Sequence, residues 1–410
     1  MTAMRLTTLA NGLRVASHNM PDLQTAAVGL FTEVGSRDEP AALNGIAHLF
    51  EHMVFKGAGG RSARDLNEAI EEVGGDLNAS TERDATNFTA TVMAEHVPLA
   101  VELISDMILR PHFAEVDLER EKDVVFQELA EARDTPSDMV FDALWSAAFE
   151  GQPLGRSILG EEPTIGAVTV ADLHHWRDVH YRGEDVALVA AGKVDHDQLV
   201  ELAELHLAGM PAGPKGAHEI ARFVGGTRIV RHPTEQAQLT VGFPGPCDNA
   251  PEYYASRLFS DIVGGGASSR LFQQVREDRG LAYSVNSTLH PYADIGMFYI
   301  YAATSGRQAV AAMQLIEEIV HGTVTSVTQR ELDRVRTQAR AGLLMSLETP
   351  WGQAHYVARQ LSVFGRLVDP AEVIDSLLAV KLDDVAAAGS RMVSGPCARA
   401  TIGMPAARAA

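Results

Sequence analysis

At 410 residues, with 46% hydrophobic and 21% charged residues, the chain is long enough for two domains of ordinary size and has the composition of a globular protein. A net charge of −20 argues against nucleic-acid binding, which demands clustered lysine and arginine; it suits steering of basic or unstructured polypeptide toward an acidic cavity. The two cysteines, Cys247 and Cys397, form no C-x-x-C pair, so a disulfide framework or cysteine–zinc site is not expected, and a reducing cytoplasm fits. The first residues offer neither an apolar signal core nor a basic amphipathic leader, and no apolar run reaches spanning length. A cytoplasmic location without membrane contact is therefore expected.

Residues 6–9, 13–18 and 26–34 alternate as strands, the first two joined by an Asn11-Gly12 turn. A helix comes next in the run GIAHLFEHMVF at residues 45–55. At about 100° per residue, Ile46, Leu49, Phe50, Met53 and Val54 fall on one side. His48, Glu51 and His52 fall nearly opposite. Imidazoles at i and i+4 sit one above the other, so both can grip one divalent metal. Glu51, one turn from His48 and next to His52, can reach water at that metal as a general base. This H-x-x-E-H order inverts the commoner zinc-peptidase motif.

Downstream, residues 62–73 form an amphipathic helix stopped by Gly74-Gly75. Residues 76–81 and 86–93 read as a two-stranded hairpin. Helices are expected over 97–109, 115–132 and 138–149. An irregular stretch at 151–169 leads to a helix over 170–180, a buried strand over 186–191 and a helix over 195–208. With cysteine unavailable, the third protein ligand of a catalytic zinc must be Asp, Glu or His. The helix over 115–132 offers Glu121 and Glu128, seven residues apart and so on one face. They border the apolar strip of Leu118, Val125 and Leu129. A residue seven before a ligand is well placed to orient a ligating imidazole.

Residues 210–217 have linker composition, rich in Pro and Gly. Residues 218–410 repeat the first half in order. QLTVGF at 238–243 answers TAAVGL at 25–30, the strand over 297–304 answers 86–93, and Leu332 and Arg334 match Leu118 and Arg120. Leu271-Phe272 is set against Leu49-Phe50, which places Arg270, Gln273 and Gln274 opposite His48, Glu51 and His52. The second half thus keeps the helix without the ligands. Residues 1–209 are read as a metal-binding domain and 218–410 as its homologue that supplies substrate contacts. The fold class is α+β, each domain a mainly antiparallel sheet with helices packed on one face.

These motifs resemble, over nearly the whole chain, the pitrilysin-like (inverzincin) zinc metallopeptidases. The similar branch is the short-chain one that includes the mitochondrial processing peptidase β subunit and its bacterial relatives. In that family the third ligand is a glutamate some seventy to eighty residues after the motif, a window in which Glu128 falls. The resemblance implies that His48, His52 and Glu128 bind one Zn2+ per chain, that Glu51 is the base, and that Glu121 is the supporting glutamate. The segment from Gly264-Gly265-Gly266 to Ser284 is similar to the family's second-half signature, in which Arg276 and Tyr283 would engage the scissile carbonyl. Asn78-Ala79-Ser80-Thr81 resembles its substrate-pairing edge strand, with Asn78, Ala79 and Ser80 as substrate contacts, and Phe55 is assigned to the same substrate surface. Gln152 stands where relatives often carry histidine.

The implied activity is that of a zinc endopeptidase acting on unfolded peptides or presequence-like segments inside a chamber of two chains. A homodimer is expected, each site completed by Arg276 and Tyr283 of the second chain. The alternatives are a non-catalytic core or assembly subunit of the same family, and an active member that needs a different second chain.

Overall fold

The computed structural model describes residues 4–214, 216 and 218–404. Residues 1–3 and 405–410, and Lys215 and Ala217 of the expected linker, lie outside that range. In chain order the first half contains β1 (Met4–Thr8), β2 (Arg14–Asn19), β3 (Thr25–Thr32), α1 (Ile46–Val54), β4 (Gly57–Ala58), β5 (Arg61–Ser62), α2 (Ala63–Glu71), β6 (Asp76–Thr81) and β7 (Thr86–Met93). Then come α3 (Val97–Leu109), α4 (Glu115–Asp134), α5 (Pro136–Ala148), α6 (Glu162–Ala167), α7 (Val170–His180), β8 (Val186–Gly192) and α8 (His196–Leu207). The second half contains β9 (Gly226–Val230), β10 (Gln236–Gly245), α9 (Tyr253–Gly264), β11 (Ser284–Pro291), β12 (Gly296–Ser305), α10 (Ala309–Ser326) and α11 (Gln329–Ser346). It ends with α12 (Pro350–Phe364), α13 (Pro370–Ala379), α14 (Leu382–Val393) and β13 (Ala398–Ile402). Among the described residues, no helix is long and apolar enough to cross a membrane.

The chain forms two compact units, one of residues 1–129, 157–218 and 343–368, the other of residues 130–156, 219–342 and 369–410. In the first, six strands run in the order β1-β2-β8-β3-β7-β6, antiparallel except for the β2–β8 pair. Every residue of β8 and all but the first of β3 are buried, as central strands covered on both faces must be. One face carries the large core with Val28, Leu30 and Leu188, onto which α1, α3 and α8 pack. The other carries Ala16, Ala27, Ala187 and Ala191, small enough for α12 to approach with Ala354, Val357, Ala358 and Leu361.

The second unit is built alike, with strands in the order β11-β12-β10-β13-β9 and a parallel β13–β9 pair. Phe259, Ile262, Phe298 and Ile316 form the core on one face. On the other, α5 sets Leu144, Trp145 and Ala148 against Met297, Ala398 and Ala400, and Trp145 Nε1 donates to the Tyr292 hydroxyl at 2.7 Å. The expected α+β sheets, each with helices on one face, are thus present, and each gains a helix on the opposite face. That helix comes from the other half of the sequence. A cut at 210–217 separates the two sheets, whereas the packed units exchange α5 and α12 across it.

One register changes. In the first unit the helix after β3 is α1; in the second the helix after β10 is α9, and the segment at 268–277 comes later, where α2 stands in the first. The buried pairs agree: Leu49-Phe50 and Met53-Val54 in α1 answer Leu258-Phe259 and Ile262-Val263 in α9. Leu271 and Val275 answer Leu66 and Ile70. The residues opposite His48, Glu51 and His52 are therefore Arg257, Ser260 and Asp261 rather than Arg270, Gln273 and Gln274. Neither set can supply the His/Glu/His ligand pattern.

Candidate metal centre

Helix α1 is positioned before its functional face is considered. Ile46, Leu49, Phe50, Met53 and Val54 are all buried, each worth about 1.5–3 kcal/mol of apolar burial. The start of the helix is fixed by the buried carboxylate of Glu39. Its Oε2 accepts from Gly45 N at 2.8 Å and Asn44 Nδ2 at 2.7 Å, and its Oε1 accepts from Ala47 N at 2.9 Å. A negative group here satisfies free N–H donors and opposes the helix dipole. Gly45 has φ +96, and a Cβ there would lie 2.4 Å from Ile165 Cδ1, so glycine is needed at this turn.

The opposite face then presents His48 and His52, ring centroids 4.6 Å apart. Glu128 of α4 meets them: its Oε2 lies 3.8 Å from His48 Nε2 and 3.6 Å from His52 Nε2. Three ligand atoms, one from each residue, lie within 4.8 Å of one another. Among the described residues this is the one group of three or more His, Cys, Asp or Glu side chains able to hold a metal. The Glu128 Oε2 atom is buried and accepts no hydrogen bond, which is costly unless a cation occupies the space between the three. Two imidazole nitrogens and one carboxylate oxygen are the donor set of a catalytic zinc that keeps an open position. The site therefore fits the metal that the motif implies. Burial, with the neighbouring His52 charge adding to it, pushes His48 down to about 4, so its imidazole is neutral and free to ligate at neutral pH.

Glu121, one of the two α4 candidates, is buried and does not point at the three-atom cluster. Its Oε2 lies 3.1 Å from His52 Nδ1 and its Oε1 2.7 Å from Lys56 Nζ. A carboxylate on Nδ1 holds the proton there and leaves Nε2 as the ligand. Glu51 is pushed up by burial, an effect that hydrogen bonding from Thr81 and the charge of His52 partly offset. The Thr81 hydroxyl donates to Glu51 Oε2 at 2.5 Å. Lys56 and Glu39 are not singled out by sequence reasoning, and Thr81 is named there only as the end of the edge strand, not as a partner of Glu51. Lys56 is findable, since it continues the 48, 52 spacing by one more turn; nothing local marks the contacts of the other two.

The strand with Asn78, Ala79 and Ser80 is β6, at the open edge of its sheet. Asn78 and Ser80 are exposed while Leu77 and Ala79 pack toward the core. Asn78 Oδ1 accepts from Ala79 N at 2.8 Å. Phe55 caps the end of α1 and lies half-buried against the same core. Arg276 and Tyr283 belong to the other compact unit. Arg276 lies in a π-helical turn, Phe272–Glu277, a rare geometry. Its guanidinium sits 4.6 Å from the Phe272 ring centroid and 5.5 Å from that of Tyr283. Tyr283 is 75% exposed. The structure thus brings His48, His52, Glu128, Glu51 and Glu121 together in one unit, and pairs Arg276 with Tyr283 in the other. Gln152 makes two hydrogen bonds to the Arg222 backbone, its Nε2 donating to Arg222 O and its Oε1 accepting from Arg222 N, each at 2.7 Å, a local structural role.

The chain is similar to known proteins over nearly its whole length. The family model for the insulinase family (peptidase family M16) matches residues 14–162, and the peptidase M16 inactive domain matches residues 167–339. The chain is 35% identical over 396 residues to an uncharacterized zinc protease of Rickettsia felis, covering 96% of each. It is 33% identical over 405 residues to the mitochondrial-processing peptidase subunit beta of Lentinula edodes, covering 93% of this chain and 85% of that one. A protease from Helicobacter pylori has the same fold, with a TM-score of 0.91 at 22% identity, 98% of this chain and all of that one being covered.

Proposed function

We propose, since this chain belongs to the insulinase family of peptidases (family M16), that it is a zinc-dependent endopeptidase cleaving unfolded peptides or presequence-like segments in a chamber made by two copies of the chain. The observation that carries the reading is the convergence of His48, His52 and Glu128 on one point, with the Glu51 carboxylate on the same helix face. A zinc ion held by those three residues supplies Lewis-acid polarisation of water and of the peptide carbonyl.

The protein's own groups divide the remaining work. Glu121 accepts a hydrogen bond from His52 Nδ1–H and so keeps Nε2 free as the metal ligand. Glu51 takes a proton from water as the water oxygen bonds to the carbonyl carbon. It returns that proton to the amide nitrogen as the C–N bond breaks, leaving a free carboxylate and a free amine. Burial, which pushes Glu51 up, makes it a stronger proton acceptor. Arg276 and Tyr283 of the second copy donate to the carbonyl oxygen as it gains charge. An extended substrate adds to the open edge of β6, replacing the Asn78 contact on Ala79 N with a main-chain bond. Such pairing requires an unfolded segment.

The intact set His48, Glu51, His52 and Glu128 favours the enzyme over a non-catalytic assembly subunit, whose activity would not depend on Glu51. The test is cleavage of a quenched fluorescent peptide by the zinc-loaded protein and by Glu51→Gln at equal zinc content. Cleavage by the first and none by the second is expected. A zinc-loaded wild type that cleaves nothing, alone or mixed with a paralogous chain, would support the assembly role.

A further inference from the structure

We propose that Thr81 is the positioning residue of the general base, holding the Glu51 carboxylate in its working orientation and tying it to the edge strand where substrate pairs. This inference rests on the peptidase reading and deepens it. Thr81 is the last residue of β6. Along that strand Leu77, Ala79 and Thr81 are half-buried and alternate with exposed Asp76, Asn78 and Ser80, so Thr81 is turned to the side that packs on α1. From there its hydroxyl donates to Glu51 Oε2 at 2.5 Å. No other hydrogen bond to Glu51 is present among the described side chains.

A glutamate has three side-chain torsions, and fixing them costs rotamer freedom. One hydroxyl anchor on Oε2 removes most of that freedom before substrate arrives and leaves Oε1 to accept the proton. Because the anchor stands on the strand end, an added strand on β6 steadies Thr81 and the base together. Glu51 is thus oriented before substrate pairs and is held more firmly once it has.

Valine is isosteric with threonine and suits a strand, so Thr81→Val removes the hydroxyl with little else. In the full-length, zinc-loaded protein it is expected to lower kcat by about 10–100-fold, the scale of a misplaced reacting group. KM, zinc content and melting temperature should stay those of the wild type. Thr81→Ser, which restores the hydroxyl, should recover most of the loss. A Thr81→Val kcat within about twofold of wild type, or a Thr81→Ser enzyme as impaired as the valine variant, would overturn the inference, since a 1 Å misplacement alone costs about 100-fold. Crystals of the zinc-loaded wild type give a second arm that needs no activity. One Glu51 carboxylate position within hydrogen-bond reach of Thr81 Oγ1 is expected, and a carboxylate turned away from Thr81 refutes it. If the wild type cleaves nothing, the peptidase reading fails while the crystals still decide the Thr81 contact.

Discussion

Glu51 and His48 share a helix face but are asked for opposite things, a carboxylate ready to take a proton and an imidazole that must carry none on its ligating nitrogen. Burial serves both, pushing Glu51 up and His48 down to about 4. Glu51→Gln should keep zinc and lose at least about a hundredfold in kcat, the lower end for general-base catalysis, read by peptide cleavage at matched zinc content. For His48 the unfolded chain binds the proton more tightly than the folded one, so stability rises with pH between about 4 and 6.5. Metal-free protein should therefore melt at progressively lower temperature as pH falls through that window, and His48→Gln should flatten the dependence in calorimetric scans. Glu121→Gln should weaken zinc binding by about 10–100-fold, measured by competition with a chelator. At this scale the 3.6-residue period makes His48, Glu51 and His52 legible, because one helix carries all three. The roles of Thr81 and Glu39 are hidden, whereas that of Lys56 is marked only by its spacing. Lys56 lies past the helix end, and the other two act through contacts with residues 30 and 6–8 positions away across a turn or sheet edge.

Helix α1 depends on a cap that lies seven residues before its first residue. Glu39→Ala would leave Gly45 N and Ala47 N without their buried acceptor, at a cost of about 1–3 kcal/mol. The melting temperature of the variant and its zinc content should fall together if α1 is the platform of the centre; a lowered melting temperature with full zinc occupancy would separate cap from site. Elements with a clean period and punctuated ends are legible in the sequence. The strands at 76–81 and 86–93 and the helices at 97–109 and 170–180 match β6, β7, α3 and α7. The second-half register is misleading because the Leu-Phe pair at 271–272 matches 49–50 by identity alone. Order of elements shows α9 to be the counterpart of α1, and Leu258-Phe259 is the pair that packs as Leu49-Phe50 does.

For the molecule as a whole, two sheets of similar order are visible in the repeat, and the exchange of α5 and α12 between the packed units is not. An amphipathic helix records which of its faces is apolar and nothing about which sheet will cover it. The proposed homodimer makes a sharp expectation. Glu51→Gln and Arg276→Ala chains, each weak alone, should recover activity when exchanged into mixed dimers, because one site then combines an intact Glu51 with an intact Arg276. Statistical mixing of a two-site dimer sets that recovery at about a quarter of wild type. No recovery, with mixing verified by light scattering and mass spectrometry, would place both sets in one chain's own site.

The claim on which the rest stands is that two residues of α1 and one of α4 hold a single zinc ion. It is tested most directly by anomalous diffraction at the zinc edge from crystals of the full-length protein. One peak per chain, about 2.0–2.2 Å from His48 Nε2, His52 Nε2 and a Glu128 carboxylate oxygen, is the predicted result. A zinc peak elsewhere, or a space among those three atoms left empty at saturating zinc, would contradict it.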